Sequence, residues 1–438
     1  MPAPIAAREG RRTMSGTRSG LSRRRFLGGS LLVVGGAVLP ACQSDPTGGG
    51  GGSAKVTLNH WYHEYGEQGT REAALRYAAD YTKQNPDVAV KVTWVPGDYK
   101  TKWQSSVLTP EGPDVYEINE VTPDMVAQQQ VAALDDILGA AKAELNPHAL
   151  SPLTHGGKAY GVPMIIDVML LYYRKSLLAG AGIAAPATLT ELVTAAKALT
   201  KGKTKGIFVG NDGLAGMRGV LPFSVGQTVL TDRKVSYATP EIADAFAVAR
   251  RMFTDKSMLL GYATEWYDPG ALITGATAIA WGGLWALPRI SKELGDDFDL
   301  VPWPAHGPTG KPVVILGGWS QVVNGKSKHV DEAKKYVQWL WLQNNEVQQD
   351  WALSYGFHVP PRASLAAQAE PLRTGPAKKV VDLLNQYGTR TTALWAPTVS
   401  KPYDDAASDI IRKNADPLAT LTAAAGRSQE ALDKLPTV

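Results

Sequence analysis

The chain has 438 residues, of which 44% are hydrophobic and 20% charged, an ordinary balance for a soluble globular protein. This length exceeds what one hydrophobic core usually supports, so we expect two lobes or domains. The net charge of +4 comes from the N-terminal leader: residues 1–41 carry seven arginines and one glutamate, a net of +6, which leaves −2 for the rest. Because that remainder has no block of Lys and Arg suited to phosphate backbones, we do not expect nucleic-acid binding.

The N-terminal segment predicts export. Three arginines at 23–25 precede an apolar stretch at 26–41, whose 16 residues include four glycines. The stretch is shorter than the roughly 20 apolar residues of a transmembrane helix, and it fits a signal peptide. The sequence SRRRFL at 22–27 resembles a twin-arginine export signal, with an ordinary secretory leader as the alternative.

The single cysteine, Cys42, predicts a lipid anchor. It ends the sequence LPAC, which resembles a bacterial lipobox, although Pro40 departs from the usual small residue. A Gly-rich tether follows. We therefore expect a signal peptide over 1–41, a lipidated Cys42 with its tether over 42–54, and a protein held on the outer face of the cytoplasmic membrane. An incidental or buried cysteine is the alternative.

From residue 55 the sequence alternates strand-like and helix-like patterns. Alternating apolar residues predict strands over 55–61, 88–97 and 112–119. A helix is predicted over 69–86, where Asn85-Pro86 ends it. Strand, helix, strand is typical of an α/β fold with a largely parallel sheet.

Later helices are predicted over 188–199, 239–253 and 331–343 from apolar stripes at helical spacing. The first of them opens with Thr188 and has Glu191 three residues on, which predicts a capping box.

No catalytic or cofactor motif stands out in the sequence. Seven histidines are scattered, without an HExxH pattern or a cysteine partner, and no serine lies in a GxSxG pattern. We therefore predict a protein without enzyme activity, cofactor or bound metal.

Tryptophan is unusually frequent, with 12 residues against 7 phenylalanines. A tryptophan offers a broad apolar face and an N–H donor, and a neighbouring glycine lets a ligand approach the backbone closely. That combination suits a sugar ring, and packing in the core is the alternative for each residue. Those beside glycine or in predicted loops are Trp61, Trp266, Trp281, Trp285, Trp319 and Trp395.

Several motifs together resemble one known family. They are GGKAYGVPMIIDVMLLYYRKSLLAG at 156–180, GPDVYEIN at 112–119, GALITGATAIAWGGLWAL at 270–287 and YGFHVPPRASL at 355–365. The third is similar to the family pattern F--G-AAM---G-W. Residues 55–438 thus resemble the extracellular solute-binding proteins of ABC sugar importers, the family that includes maltodextrin-binding proteins.

The resemblance implies an α/β, two-lobed periplasmic-binding-protein fold of type II, each lobe a sheet flanked by helices, with the ligand cleft between the lobes. Lobe 1 is expected over 55–168 and 300–345, and lobe 2 over 169–299 and 346–438. The implied function is to capture a mono-, di- or oligosaccharide by lobe closure and to deliver it to an ABC permease. The protein is expected to be a monomer.

By position, the resemblance also implies a ligand site of stacking tryptophans and of carboxylates that accept sugar hydroxyls. Its first members are Trp61, Glu64, Glu117 or Asn119, Asp167, Trp266, Trp281 and Trp319. Further members are His358, Arg362, Trp395 and Tyr403.

Three other functions stay open at this point. The same fold could bind a glycerophosphodiester, a polyamine or iron, and it could report a sugar to a receptor as a sensor. A secreted carbohydrate-active enzyme would need two carboxylates across a sugar bond, for which Glu64 and Asp167 are candidates.

Overall fold

The computed structural model describes residues 54–437, which form two mixed β-sheets flanked by helices. The strands in chain order are β1 Val56–His63, β2 Val88–Val95, β3 Val115–Ile118, β4 Thr154–His155, β5 Lys158–Ala159, β6 Val162–Pro163, β7 Asp167–Tyr173, β8 Lys205–Phe208, β9 Leu230–Thr231, β10 Lys234–Val235, β11 Thr277–Gly283, β12 Asp299–Val301, β13 Val314–Gly317, β14 Ser320–Val323 and β15 Gly388–Thr389.

Helices surround both sheets. In chain order they are α1 Thr70–Gln84, α2 Tyr99–Ser106, α3 Pro123–Ala127, α4 Asp135–Leu138, α5 Pro147–Leu150, α6 Lys175–Gly180, α7 Leu189–Leu199, α8 Ala215–Ser224, α9 Pro240–Thr254, α10 Gly270–Ile273, α11 Leu287–Leu294, α12 Val330–Gln338, α13 Asn345–Leu353, α14 Ala363–Gln368, α15 Gly375–Tyr387, α16 Pro397–Lys413 and α17 Pro417–Asp433. Single 3₁₀ turns lie at Gly139–Glu144, Ser151–Leu153, Leu284–Ala286 and Glu370–Leu372, and a π turn lies at Trp339–Gln343.

The first sheet has the strand order β2-β1-β3-β14-β6, and the second has the order β15-β13-β7-β11-β8 with β12 also paired to β7. β1 runs parallel to β2 and β3, as the sequence predicted. β14 is antiparallel to its neighbours, and so is β7 to β11, β12 and β13, which makes both sheets mixed rather than largely parallel. β7 and β14 are antiparallel to their neighbours because the chain enters each of them directly from the other sheet, without a connecting helix.

The chain passes between the sheets three times, the last time between β14 and β15, and the first two crossings are adjacent. β6 leads to β7 through residues 164–166, and β13 leads to β14 through Gly318 and Trp319. Gly318 has φ of +136°, and a Cβ there would lie 2.2 Å from the Ile165 carbonyl oxygen. Only glycine therefore lets the two crossing segments pack this closely.

This architecture confirms the predicted two-lobed α/β fold class. The lobe boundaries stay a prediction. Because β12 and β13 belong to the second sheet, strand membership favours a boundary at residues 317–320 rather than at 300.

The predicted helices are present with small changes in length. α7 carries the predicted capping box, in which Thr188 Oγ1 accepts from the Glu191 N–H and the Glu191 carboxylate accepts from the Thr188 N–H. α9 begins at Pro240, and α12 ends at Gln338 before the π turn.

Each sheet has its own apolar core. Leu58, Tyr336 and Trp341 lie fully buried between the first sheet and its helices, and Leu192 and Phe246 lie fully buried under α7 and α9 of the second. Among residues 54–437, no helix is both long and apolar enough to cross a membrane. The predicted signal peptide and Cys42 lie outside the described residues.

Candidate functional site

A cavity of about 310 Å³ lies where the end of β3 and the β13–β14 crossing meet the start of α16. Its volume is at the lower end of the range for small-molecule sites, roughly 300–1,000 Å³. We call it the cleft cavity and define it by Tyr99, Asn119, Glu120, Trp319 and Thr398, which all line it. It combines aromatic faces with polar groups from both sides.

Trp319 is the aromatic wall of the cleft cavity, and a stacked imidazole supports it. The His63 ring lies on it with 3.9 Å between centroids and 21° between planes. His63 Nδ1 lies 2.8 Å from Glu117 Oε2, which also accepts from the His63 backbone N–H at 2.9 Å. Residues of β1 and β3 thus support the indole ring on one face.

Glu117, which the sequence predicted to bind the ligand, holds His63 against Trp319. Its side chain has no exposed surface, and its second oxygen accepts from the Tyr65 hydroxyl at 2.8 Å. Burial, followed by the charge of Glu117, holds the pKa of Tyr65 well above its ordinary value, so that hydroxyl remains a donor. The Glu117 carboxylate is thus bonded to His63 and Tyr65, and Glu117 does not line the cleft cavity.

Asn119 and Tyr99 complete the first-sheet side of the cavity. Asn119 Nδ2 donates to the Gly318 carbonyl oxygen at 2.9 Å, which ties the end of β3 to the crossing segment. Tyr99 donates its hydroxyl to the Glu117 carbonyl oxygen at 3.1 Å and accepts from the Glu117 N–H at 2.8 Å. Its ring is therefore a fixed wall. Trp61 instead packs at the edge of the apolar cluster that contains Trp103.

Glu120 is a cavity residue that the sequence interpretation missed. It directly follows Asn119, and within residues 54–437 its carboxyl group has neither a hydrogen bond nor an ion pair. Burial raises the pKa of Glu120 to about 7, against the opposing charges of Arg390 and Lys100. The signal was present in the stretch GPDVYEINE, but the predicted site ended one residue too early. Glu64, at the end of β1, is exposed.

Asp167 and His358 lie together at the crossing between the sheets. Asp167 Oδ1 is 2.6 Å from His358 Nδ1, and both side chains are buried. The neighbouring residues Ile166 and Val359 also pair through their backbones. The sequence placed both residues in the ligand site, whereas here they bind each other.

The second lobe presents a separate aromatic cluster. Trp266 packs edge-to-face against Trp285 with 5.9 Å between centroids, and Trp285 Nε1 donates to the Tyr267 carbonyl oxygen at 2.9 Å. Tyr267 is 56% exposed. Trp285 occupies the final position of the pattern F--G-AAM---G-W and does not line the cleft cavity.

Trp281 was selected instead, and the structure buries it outside the cleft cavity. It is 4% exposed within β11 and packs edge-to-face on Trp303. A Cβ at Gly216 would lie 2.9 Å from its ring, so the space beside it is filled. Trp281 therefore packs within the apolar core of the second sheet.

The sequence placed three further residues in the ligand site, and here they make contacts outside the cleft cavity: Tyr403, Trp395 and Arg362. Tyr403 is 1% exposed, donates its hydroxyl to the Arg218 carbonyl oxygen at 2.8 Å and packs edge-to-face on Trp395. Arg362 forms an ion pair with Glu144 at 3.2 Å.

Among residues 54–437, no group of three or more His, Cys, Asp or Glu is arranged to hold a metal ion.

Two sheets joined by short crossings, with a cavity where they meet, define the class of two-lobed ligand-binding proteins. Within that class the match is specific: residues 66–348 match the family described as bacterial extracellular solute-binding protein, and the chain belongs to it. The family prediction from sequence is thereby confirmed.

Two relatives of known name align with this chain, and the aligned part covers a different share of each. The maltodextrin-binding protein MdxE of Bacillus subtilis is 23% identical over 423 residues, 91% of this chain and 94% of that protein. A probable ABC transporter-binding protein of Deinococcus radiodurans is 27% identical over 279 residues, 60% of this chain and 66% of that protein.

Solved structures share the fold. The GacH receptor of Streptomyces glaucescens, solved unliganded and with acarbose, has a TM-score of 0.73 at 22% identity and covers 87% of this chain and 100% of its own. UgpB of Mycobacterium tuberculosis, solved with glycerophosphocholine, has a TM-score of 0.72 at 19% identity and covers 86% of this chain and 98% of its own.

Proposed function

We propose that this protein captures a sugar between its two lobes and delivers it to an ABC import permease without changing it chemically. The observation that carries the proposal is Trp319, an indole held in place by His63 and facing a cavity that also contains Asn119 and Glu120. Relatives whose names state a sugar or maltodextrin ligand support it.

The chemistry of the cleft cavity matches a neutral polyol. One face of a sugar ring is a set of C–H groups that stack on an indole, and its hydroxyls need donors and acceptors around the rim. Asn119 supplies an amide, whose Nδ2 also donates to the Gly318 carbonyl oxygen. Glu120 supplies a carboxyl group that has no hydrogen bond or ion pair within residues 54–437. At the start of α16, Pro397 has no N–H and those of Val399 and Ser400 donate to the Ala396 carbonyl oxygen. Thr398 is therefore the polar residue of this turn that lines the cavity.

A ligand panel tests the proposal. The purified protein is titrated with maltotriose, mannobiose, N,N′-diacetylchitobiose, tagatose and glycerophosphocholine while thermal unfolding and tryptophan fluorescence are followed. We expect one of the sugars to raise the unfolding temperature, since a ligand of the folded state stabilises it. Chromatography of the released ligand should show an unchanged sugar. A response to glycerophosphocholine alone, or a hydrolysed sugar, would contradict the proposal.

The place of action that we propose is the outer face of the cytoplasmic membrane, with a lipid on Cys42 and the domain acting as a monomer beside its permease. Family membership supports export. Fractionation of cells that express the protein or its Cys42→Ser variant tests the anchor. The unchanged protein should sediment with membranes and the variant should not, and equal distribution of the two would rule the lipid anchor out.

A further inference from the structure

The support of Trp319 includes a titratable ring. The His63 imidazole lies against the indole with 3.9 Å between centroids, and its Nδ1 is 2.8 Å from Glu117 Oε2. Histidine is the side chain whose charge ordinarily changes between pH 5 and 8. The side chain is 16% exposed, so solvent protons can reach it. The indole that lines the cleft cavity therefore touches a ring that can become a cation.

His63 can gain a proton without breaking its bond to Glu117. A neutral imidazole carries one N–H, and the contact with a carboxylate places that hydrogen on Nδ1. Within residues 54–437, the Nε2 atom makes no hydrogen bond, so Nε2 is the atom that gains the proton. The ring then becomes a cation in its present position, and no rearrangement is required.

The groups that face the His63 ring come from three elements. The carboxylate of Glu117 in β3 is the charged group bonded to it among the described residues, and the Glu117 side chain has no exposed surface. Two phenols also face the ring: Tyr65, after β1, at 3.8 Å, and Tyr99, in α2, at 6.0 Å between centroids. Burial, followed by the charge of Glu117, raises the pKa of both phenols well above the ordinary value, so they stay neutral.

We propose that a proton on His63 strengthens ligand binding in the cleft cavity by fixing Trp319. The protonated ring adds two attractions to the hydrogen bond that the neutral ring already makes. One is to the buried Glu117 carboxylate, and the other is to the electron-rich face of the indole. A wall that is fixed before the ligand arrives loses less conformational entropy on binding, so affinity should be higher at pH 5.5 than at pH 8. This inference rests on the proposed function and adds control by pH to the same site.

The coupling between proton and ligand runs in both directions. If the protonated protein binds the ligand more tightly, the bound ligand favours the proton on His63 by the same factor. Ligand binding at about pH 6.5 should therefore take up part of a proton. Calorimetry in buffers of different ionisation enthalpy measures this uptake. A histidine with a purely structural role would change neither the pH dependence of affinity nor the proton uptake.

Calorimetric titration of the whole protein with the five probes named above, at pH 5.5 and pH 8, tests the proposal. The quantity compared is the ratio of Kd at pH 8 to Kd at pH 5.5 for the probe that binds. His63→Phe keeps a stacked ring but loses the charge, and the ratio should be about threefold or more larger in the unchanged protein than in this variant. The comparison removes the effect of Glu120, whose pKa is raised to about 7 by burial, because both proteins contain it.

Two further variants guard this comparison. Glu117→Gln removes the carboxylate and keeps the shape of the side chain, so it should also reduce the ratio if His63→Phe does not fold. His306→Gln is the matched control, because His306 Nε2 lies 2.7 Å from Asp244 and neither residue lines the cleft cavity. It should keep the ratio of the unchanged protein.

The fluorescence of the empty protein gives a readout that needs no ligand. A protonated imidazole quenches the emission of an indole that it contacts, so emission should fall as the pH is lowered from 8 to 5.5. His63→Phe and Trp319→Phe should each remove the same part of that change, and the double variant should remove no more. A pH-dependent change that both single variants keep in full would show that the proton does not reach Trp319.

The outcomes separate this inference from the proposed function. A sugar with the same Kd ratio in the unchanged protein and in His63→Phe, or with tighter binding at pH 8, overturns the proton's role and leaves sugar binding intact. Binding of glycerophosphocholine alone, with a ratio that His63→Phe reduces, overturns sugar binding and keeps the role. If no probe binds, the sugar function is contradicted and the fluorescence titration decides the inference. A ratio that His358→Gln reduces and His63→Phe does not assigns the effect to the pair of Asp167 and His358, and overturns it for His63.

Discussion

His358 Nδ1 lies 2.6 Å from Asp167 Oδ1, and both groups are buried at the point where the chain passes from the first sheet to the second. Asp167 begins β7, and His358 donates its backbone N–H to the Ala352 carbonyl oxygen below the first sheet. The pair therefore fastens the crossing strand to a segment 191 positions later in the chain. It stabilises the junction that the cleft cavity needs.

The pair of Asp167 and His358 should make the free energy of unfolding depend on pH. Burial lowers the pKa of His358, but the charge and hydrogen bond of Asp167, with the charge of Glu67, outweigh it and leave that pKa above its ordinary value. The pair therefore contributes its full share to the free energy of unfolding below the pKa of a free histidine. That contribution is lost as the pH rises through the raised pKa of His358.

The variant His358→Gln should lower the free energy of unfolding by about 1–3 kcal/mol at pH 5.5, and by less at pH 9. Urea unfolding at both pH values measures the difference. His306→Gln is the control, since His306 pairs with Asp244, whose side chain is 67% exposed. An equal loss at the two pH values would show that protonation of His358 is not involved.

Trp319 should carry much of the affinity for a sugar. Its Trp319→Ala variant removes the stacking face and should weaken binding about tenfold, while Trp319→Phe should lose less. Trp339→Phe is the control, because Trp339 lies on the π turn away from the cavity and donates to Gln84. Calorimetric titration measures the change, and equal affinity in Trp319→Ala would remove this residue from the site.

Trp281 should affect stability and not affinity. Replacement by alanine empties space beside Gly216 and Trp303 and should lower the free energy of unfolding by about 3–5 kcal/mol. Trp281→Phe should keep its ligand affinity within about twofold. Chemical unfolding and titration on the same samples separate the two effects, and a selective loss of affinity in Trp281→Phe would restore the ligand role.

The capping box of α7 offers a local test. Thr188→Ala removes the acceptor for the Glu191 N–H and should lower the free energy of unfolding by about 1 kcal/mol. Ligand affinity should not change, since α7 lies away from the cleft cavity. Thr190→Ala is the comparison, because the Thr190 side chain makes no capping contact, and it should cost less in thermal unfolding than Thr188→Ala.

Much of the fold was predictable because its signals are local. Thr188 and Glu191 lie one helical turn apart, so the start of α7 could be read from the sequence, and the alternation from Val88 onward predicted β2. The mixed direction of the sheets was not predictable from such patterns. It depends on β7 and β14 joining strands that are distant in the chain.

The sequence by itself determined the family and several helices and strands, such as α7 and β2, since these depend on spacing along the chain and on matched motifs. The tertiary structure decided which side chains face the cavity. Glu117 and Glu120 are three positions apart, yet the Glu117 carboxylate is enclosed by His63 and Tyr65, while Glu120 lines the cleft cavity. Neighbouring residues at a strand end point to different faces, and only the packing of distant segments determines which face is the core.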